Sequence, residues 1–173
     1  MNVKLYIDDK LVYQNTVQPP LPPIEPPPPP PPSSKINYRT MTMEVPIENE
    51  FLNDKSIKFY KVTAGVVCKT EIQIWLAGRV PYQYNCDMLI SDTDFITPEK
   101  AINTYNYFFD KYGYGGSMKM ETYQGANYWV WFAGSAESEM DRIKNPIIGQ
   151  TYYIMVINKT TNRAAYRLAA YCY

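Results

Sequence analysis

Histidine is missing from this chain of 173 residues. Its absence removes Ser-His-Asp and Cys-His nucleophilic catalysis, histidine metal sites and histidine pH switching together. Only three cysteines are present, at positions 68, 86 and 172. They are too few and too scattered for a disulfide framework or a four-cysteine zinc site. The N-terminus, MNVKLYIDDK, lacks the apolar stretch of a signal peptide, so synthesis in a cytoplasm and three free, buried thiols are expected. No hydrophobic run approaches the length of a membrane helix, and no membrane insertion is expected. Neither sign of charge is in excess, with 17 basic residues against 17 acidic ones. That balance gives no reason to expect nucleic acid or an anionic membrane as a partner. Asn158-Lys159-Thr160 fits a glycosylation pattern, but without secretion it reads as a turn between strands.

What the chain does have is proline and tyrosine. Of 15 prolines, eleven fall between Pro19 and Pro32. Proline has no amide hydrogen and a fixed φ, so this stretch forms neither helix nor sheet ladder. A polyproline II rod is expected, and its fourteen residues at about 3.1 Å each span roughly 40 Å. An SH3-type ligand is the alternative reading, although no basic residue closely flanks the run. Before the rod, residues 1–18 show a strand period: Val3, Leu5 and Ile7 alternate with Asn2, Lys4 and Tyr6. An apolar run, Leu11-Val12-Tyr13, follows a turn near Asp8-Asp9-Lys10. A hairpin of two strands is marginal in water, so Val3, Leu5, Ile7, Leu11, Val12 and Tyr13 are expected to anchor a partner. Residues 19–35 form the linker.

Residues 36–173 read as mostly β. Runs rich in Val, Ile, Tyr and Thr recur between Gly, Asn, Asp and Pro: Thr40–Val45, Ser56–Val62, Glu71–Leu76, Met88–Ile90, Met118–Thr122, Tyr128–Phe132, Thr151–Ile157 and Ala165–Tyr173. In two of these both faces are apolar, as in strands covered on both sides. Trp129 and Trp131 alternate with Tyr128, Val130 and Phe132, and Tyr152, Ile154 and Val156 alternate with Tyr153, Met155 and Ile157. One helix is expected over Pro98–Tyr105, with Thr97 as its cap and proline at its first position. The fold class is therefore all-β: an antiparallel, jelly-roll-like β-sandwich preceded by a hairpin anchor and a polyproline II linker.

The order of motifs carries a resemblance. Phe59-Tyr60-Lys61-Val62-Thr63-Ala64-Gly65 is followed by Glu71-Ile72-Gln73-Ile74-Trp75-Leu76-Ala77-Gly78 and Cys86-Asp87-Met88-Leu89-Ile90-Ser91. The series closes with Gly149-Gln150-Thr151-Tyr152-Tyr153-Ile154-Met155-Val156 and Ala165-Tyr166-Arg167-Leu168. Over residues 56–173 this resembles the bacterial pre-peptidase C-terminal domain. The resemblance implies a non-catalytic β-sandwich of the kind appended to secreted enzymes and to surface or virion proteins, some of which bind carbohydrate or calcium. The chain departs from that pattern in having no attached protease, no signal peptide and an insertion around 103–116.

Several groups of residues could carry function. Asp87, Asp92, Asp94 and Glu99 are an oxygen-rich set that could hold calcium, but their spacing matches no EF-hand, and exposed acids in a turn-rich segment are the plainer reading. Tyr105, Tyr107, Tyr112 and Tyr114 fall in a Tyr-, Asn- and Gly-rich stretch with a paratope-like composition. They are candidates for stacking on sugars or packing on another protein, or they simply cover the sandwich. Trp75, Trp129 and Trp131 could form a sugar platform or belong to the core. No cofactor is expected. These readings lead to a non-enzymatic virion structural or surface-display protein of a phage, made in the host cytoplasm, serving as capsid decoration or a tail or fibre accessory. Its partners would be virion proteins held through the N-terminal anchor, with multiple copies per particle. A carbohydrate-binding adhesion module contacting a cell-surface glycan is the alternative.

Removing residues 1–18 is expected to abolish attachment to particles while leaving residues 36–173 folded, since about 138 residues suffice for one core. A cooperative melt with a β-type circular dichroism spectrum, combined with loss of particle co-sedimentation, is the outcome that supports this division of labour.

Overall fold

Where the apolar residues of a strand occupy both faces, the strand needs cover on both sides, and this requirement organises the domain. The computed structural model describes residues 2–7, 10–16, 35–78, 86–115, 117–132 and 138–173. The chain divides into two units, Met1–Pro32 and Ser33–Tyr173. In the first, β1 (Asn2–Ile7) and β2 (Lys10–Thr16) pair antiparallel, with Ile7 opposite Lys10 and Leu5 opposite Tyr13. Val12 is the extra residue of a bulge between the pairs Leu5–Tyr13 and Tyr6–Leu11. The expected turn at residues 8–9 and the expected proline rod lie outside the described residues.

The second unit runs β3 (Arg39–Thr40), β4 (Ile47–Leu52), β5 (Ile57–Thr63), β6 (Glu71–Gly78), β7 (Cys86–Ser91), α1 (Pro98–Tyr112), β8 (Lys119–Tyr123), β9 (Ala126–Val130), β10 (Ser138–Lys144), β11 (Thr151–Asn158) and β12 (Ala164–Cys172). Two sheets face each other, one ordered β10-β6-β12-β4 and the other β3-β5-β11-β7-β9-β8. All pairings are antiparallel except β3 with β5. The fold is the all-β sandwich that the alternation called for. Between the sheets lie Ile72, Ile74 and Leu76 from β6, Leu168 and Ala170 from β12, Met88 and Ile90 from β7, and Ile154 and Val156 from β11. The far face of the six-stranded sheet is also apolar. There Leu89, Val130, Met155 and Phe132 pack against Ala101, Tyr105 and Phe108 of α1.

The helix starts where its sequence says it should. Thr97 accepts a hydrogen bond from the Lys100 amide at 3.2 Å, and proline occupies the first turn. Its end differs from the expectation of Tyr105, because one face continues through Ala101, Thr104, Tyr105 and Phe108, all buried. That spacing is helical, and burial of the stripe outweighs the weak helix propensity of Asn, Tyr and Phe. The expected strand Thr40–Val45 stops at Thr40, because Glu44 takes a positive φ of 64° and donates its amide to the Ala170 carbonyl at 2.8 Å. Strands β4 and β10 were not anticipated.

Asn158 organises the β11–β12 turn. Its Nδ2 donates to the carbonyls of Asn53 at 2.9 Å and Asn162 at 2.7 Å, while its Oδ1 accepts from the Thr160 amide at 3.0 Å. The side chain is buried, so the glycosylation pattern serves here as a turn.

The expectation of three free thiols is overturned. Cys68 and Cys172 form a disulfide across a sequence separation of 104, with their Cα atoms 4.6 Å apart, and Cys86 alone is a free, buried cysteine. The physical reason is tertiary: the β5–β6 turn folds against the end of β12, where the Thr70 amide reaches the Tyr173 carbonyl at 2.7 Å and the Tyr173 amide reaches that of Glu71 at 3.0 Å. A bond closing so long a loop restricts the unfolded chain strongly. Thiol titration of the denatured, unreduced protein is expected to find one thiol. Cys172→Ser is expected to lower unfolding stability by about 2–5 kcal/mol, read from denaturant melts.

Candidate functional site

Strand alternation sends the candidate carboxylates to different places. Asp87, buried on β7, accepts a hydrogen bond from the Tyr105 hydroxyl. Burial lifts the Asp87 carboxyl to about 6, against the opposing pull of the Tyr105 hydroxyl and the Lys159 charge. Asp92 accepts from the Asn127 amide at 2.9 Å and its side-chain nitrogen at 2.7 Å. Asp94 accepts from the Tyr38 hydroxyl at 2.8 Å and the Ile96 amide at 2.7 Å. Glu99 stands exposed in the first turn of α1. The four do not converge, and among the described residues no group of three or more metal-ligating acids and cysteines does.

The four tyrosines do not make one surface either. Most of this Tyr-, Asn- and Gly-rich stretch is helix, and its period turns Tyr105 inward against Asp87, where burial pushes the Tyr105 phenol well up. Tyr107 stacks on Tyr123 with ring centroids 4.2 Å apart. Tyr112 donates to Glu121, and Tyr114 meets Phe109 edge-on at 4.9 Å. The tryptophans separate as well. Trp129 packs between the sheets against Tyr152 at 5.6 Å, while Trp131 lines a shallow groove with Met118, Met140 and Arg142.

Trp75 is different. It lies on β6, whose alternate residues Ile72, Ile74 and Leu76 point into the core, so Trp75 and Ala77 face outward. On β12, Ala169 sits opposite Trp75 and Arg167 opposite Ala77. The small side chains of Ala77 and Ala169 make a floor, and Trp75, Arg167, Tyr171 and Tyr173 rise around it to enclose a cleft of about 280 Å³. Trp75 remains 37 % exposed. The rim is held in place: the Trp75 indole donates to Gln73 Oε1 at 3.2 Å, and Arg167 Nη2 donates to the Tyr171 hydroxyl at 3.3 Å. Arg167 Nε also pairs with Glu48 at 2.9 Å, which offsets the guanidinium charge. The cleft thus offers an aromatic wall, phenol and guanidinium donors and little net charge. Such a surface suits a flat, neutral, hydroxyl-bearing ligand. Arg167, Tyr171 and Tyr173 were not singled out from sequence, although alternation along β12 places them on one face.

A second unanticipated feature is acidic. On β10, Glu139 and Asp141 lie opposite Leu76 and Ile74 and share the inward face with Ile143. Desolvation raises the Asp141 carboxyl to about 8.

No protein-family model matches the sequence, and no curated protein matches it. A solved structure similar to this chain is the pre-peptidase C-terminal domain of a collagenase from Bacillus anthracis. It is 8 % identical with a TM-score of 0.41, and the match covers 79 % of this chain and 97 % of that one.

The buried acids set a pH dependence. Asp141 and Asp87 bind protons more tightly folded than unfolded. Their contribution is therefore fully present below about pH 4 and is lost as the pH rises, through about 6 for Asp87 and about 8 for Asp141. Asp141→Asn is expected to be more stable than the parent at pH 8, by a few kcal/mol, with the gap closing toward pH 4. Denaturant melts across that range check the sign.

Proposed function

We propose that this protein is a non-enzymatic binding and display module whose sandwich takes a saccharide in the cleft between β6 and β12. The observation that carries the reading is the outward set of Trp75, Tyr171, Tyr173 and Arg167 around an alanine floor. Sugar rings present flat C–H faces to an indole and edge hydroxyls to phenol and guanidinium groups, and the cleft supplies both kinds of contact. In the same proposal the N-terminal hairpin holds a larger particle, a virion being the setting that the sequence favours, by adding its strands to a partner's sheet. The proline stretch then serves as spacer. Two paired strands that cannot persist alone support the anchoring half of this reading.

Full-length protein on a glycan array is expected to show selective binding, with Trp75→Ala weakening it at least tenfold and leaving the melting temperature nearly unchanged. Tyr107→Ala and Tyr114→Ala, which lie away from the cleft, are expected to bind normally. Folded wild-type protein that binds no glycan, or binding indifferent to Trp75→Ala, would remove the saccharide reading.

A further inference from the structure

Two neighbouring turns at one end of the sandwich expose aliphatic side chains that the core does not use. Val66 and Val67, in the turn between β5 and β6, are 73 % and 63 % exposed, and Ile147 and Ile148, between β10 and β11, are 68 % and 60 % exposed. The turns are bonded to each other. The Ala64 amide donates to the Gln150 carbonyl at 2.9 Å, the Gly149 amide to Ala64 at 2.9 Å and the Asn145 amide to Thr70 at 2.8 Å. The Cys68–Cys172 disulfide ties the first turn to β12. The second turn closes through Gly149 at φ 84°, where an added Cβ would meet nothing within 4 Å. Four exposed aliphatic groups thus lie on two braced, neighbouring turns.

From this we infer that the paired turns are a lipid-contacting tip, seating the end of the domain at headgroup depth on an anionic bilayer without spanning it. Exposed apolar groups gathered at one place mark an interaction site. The turns 64–70 and 144–150 contain no Trp, Tyr or Arg, the usual anchors of a protein contact, and their exposed apolar groups are all aliphatic. Their charge points the same way. Lys69 and Lys144 flank the aliphatics, both exposed, and the two turns carry no acid. Glu71 lies opposite Lys144 across the strand pair and accepts from the Gln73 side-chain amide, a neutral donor that leaves the carboxylate to oppose Lys144, so Lys69 carries the larger share of the tip's positive charge. Aliphatic groups edged by lysine match an acyl boundary below anionic headgroups. β3 runs parallel to β5, so the chain reaches Arg39 from the side where β5 begins, whereas Val66 and Val67 follow its end.

The test is co-sedimentation of the full chain with vesicles of phosphatidylcholine alone and of phosphatidylcholine mixed with phosphatidylserine. Wild-type protein is expected to sediment with the mixed vesicles more strongly than with the neutral ones. The double variant Val67→Asp, Ile147→Asp is expected to lose at least tenfold in binding with an unchanged melting temperature, and Val67→Leu, Ile147→Leu to retain it. Lys69→Ser is expected to reduce the preference for the anionic vesicles by about fivefold, and Lys144→Ser, opposed by Glu71, by less. Trp75→Ala is expected to sediment like wild type, which separates this tip from the saccharide cleft. Folded wild-type protein that stays in the supernatant with both vesicles overturns the inference, as does undiminished binding by the aspartate variant. So does concentration-dependent dimerisation abolished by that variant, which would make the tip a contact between copies of this chain.

Discussion

Everything in the sandwich follows from one constraint: the central strands of the six-stranded sheet are apolar on both faces. Ile90, Ile154 and Val156 demand the four-stranded sheet on one side, and Leu89 and Met155 demand the helix on the other. Strands of that kind cannot face water on either side. Once both layers are in place, α1 occupies one broad outer face, and among the described residues of this unit the outward face of the four-stranded sheet remains open. That open face is where Trp75 and the end of β12 form their cleft. The position of the cleft is a consequence of which sheet needs double cover.

Polar groups inside the domain give that packing a unique register. The hydroxyls of Tyr60 and Tyr166 bond to each other between the sheets, linking β5 to β12, and the Tyr105 hydroxyl links α1 to Asp87 on β7. Each pair joins elements from different layers. A one-residue slip of a strand would send such a group to the wrong face and leave its partner buried without a bond. The apolar contacts tolerate small shifts more readily. Buried polar pairs of this sort favour one arrangement over near neighbours of similar hydrophobic burial.

What the sequence made legible was whatever depended on short-range pattern. The alternation through Tyr128–Phe132 placed Trp129 toward one core and Tyr128, Val130 and Phe132 toward the other, as found. Thr97 and Pro98 marked the start of the helix for reasons of local hydrogen bonding. The end of the helix was hidden because Asn103–Tyr112 contains poor helix formers, and only tertiary cover makes its apolar stripe decisive. Strand β10 was hidden for a different reason: its inward positions include Glu139 and Asp141, which a hydrophobic pattern assigns to solvent. The Cys68–Cys172 pairing required knowing that the β5–β6 turn meets the end of β12. Trp75 was visible as a candidate, but the cleft was not, because its walls come from β6 and from β12 with the residue that follows it, segments distant in sequence that only the sheet order makes neighbours.

The order β10-β6-β12-β4 has a consequence for how the protein is made. Strand β12 lies between β6 and β4, so until residues 164–172 emerge, β4 lacks the neighbour it hydrogen-bonds to, and β6 has cover on one edge only. Between those events the inward faces of β4 and β6, with Leu52, Ile72, Ile74 and Leu76, have no completed sheet to close over. Emerging chains held in that condition expose apolar surface and unpaired edges, the species that chaperones exist to shield. Closure of this sandwich therefore waits for β12 to emerge, rather than following from the folding of any earlier part.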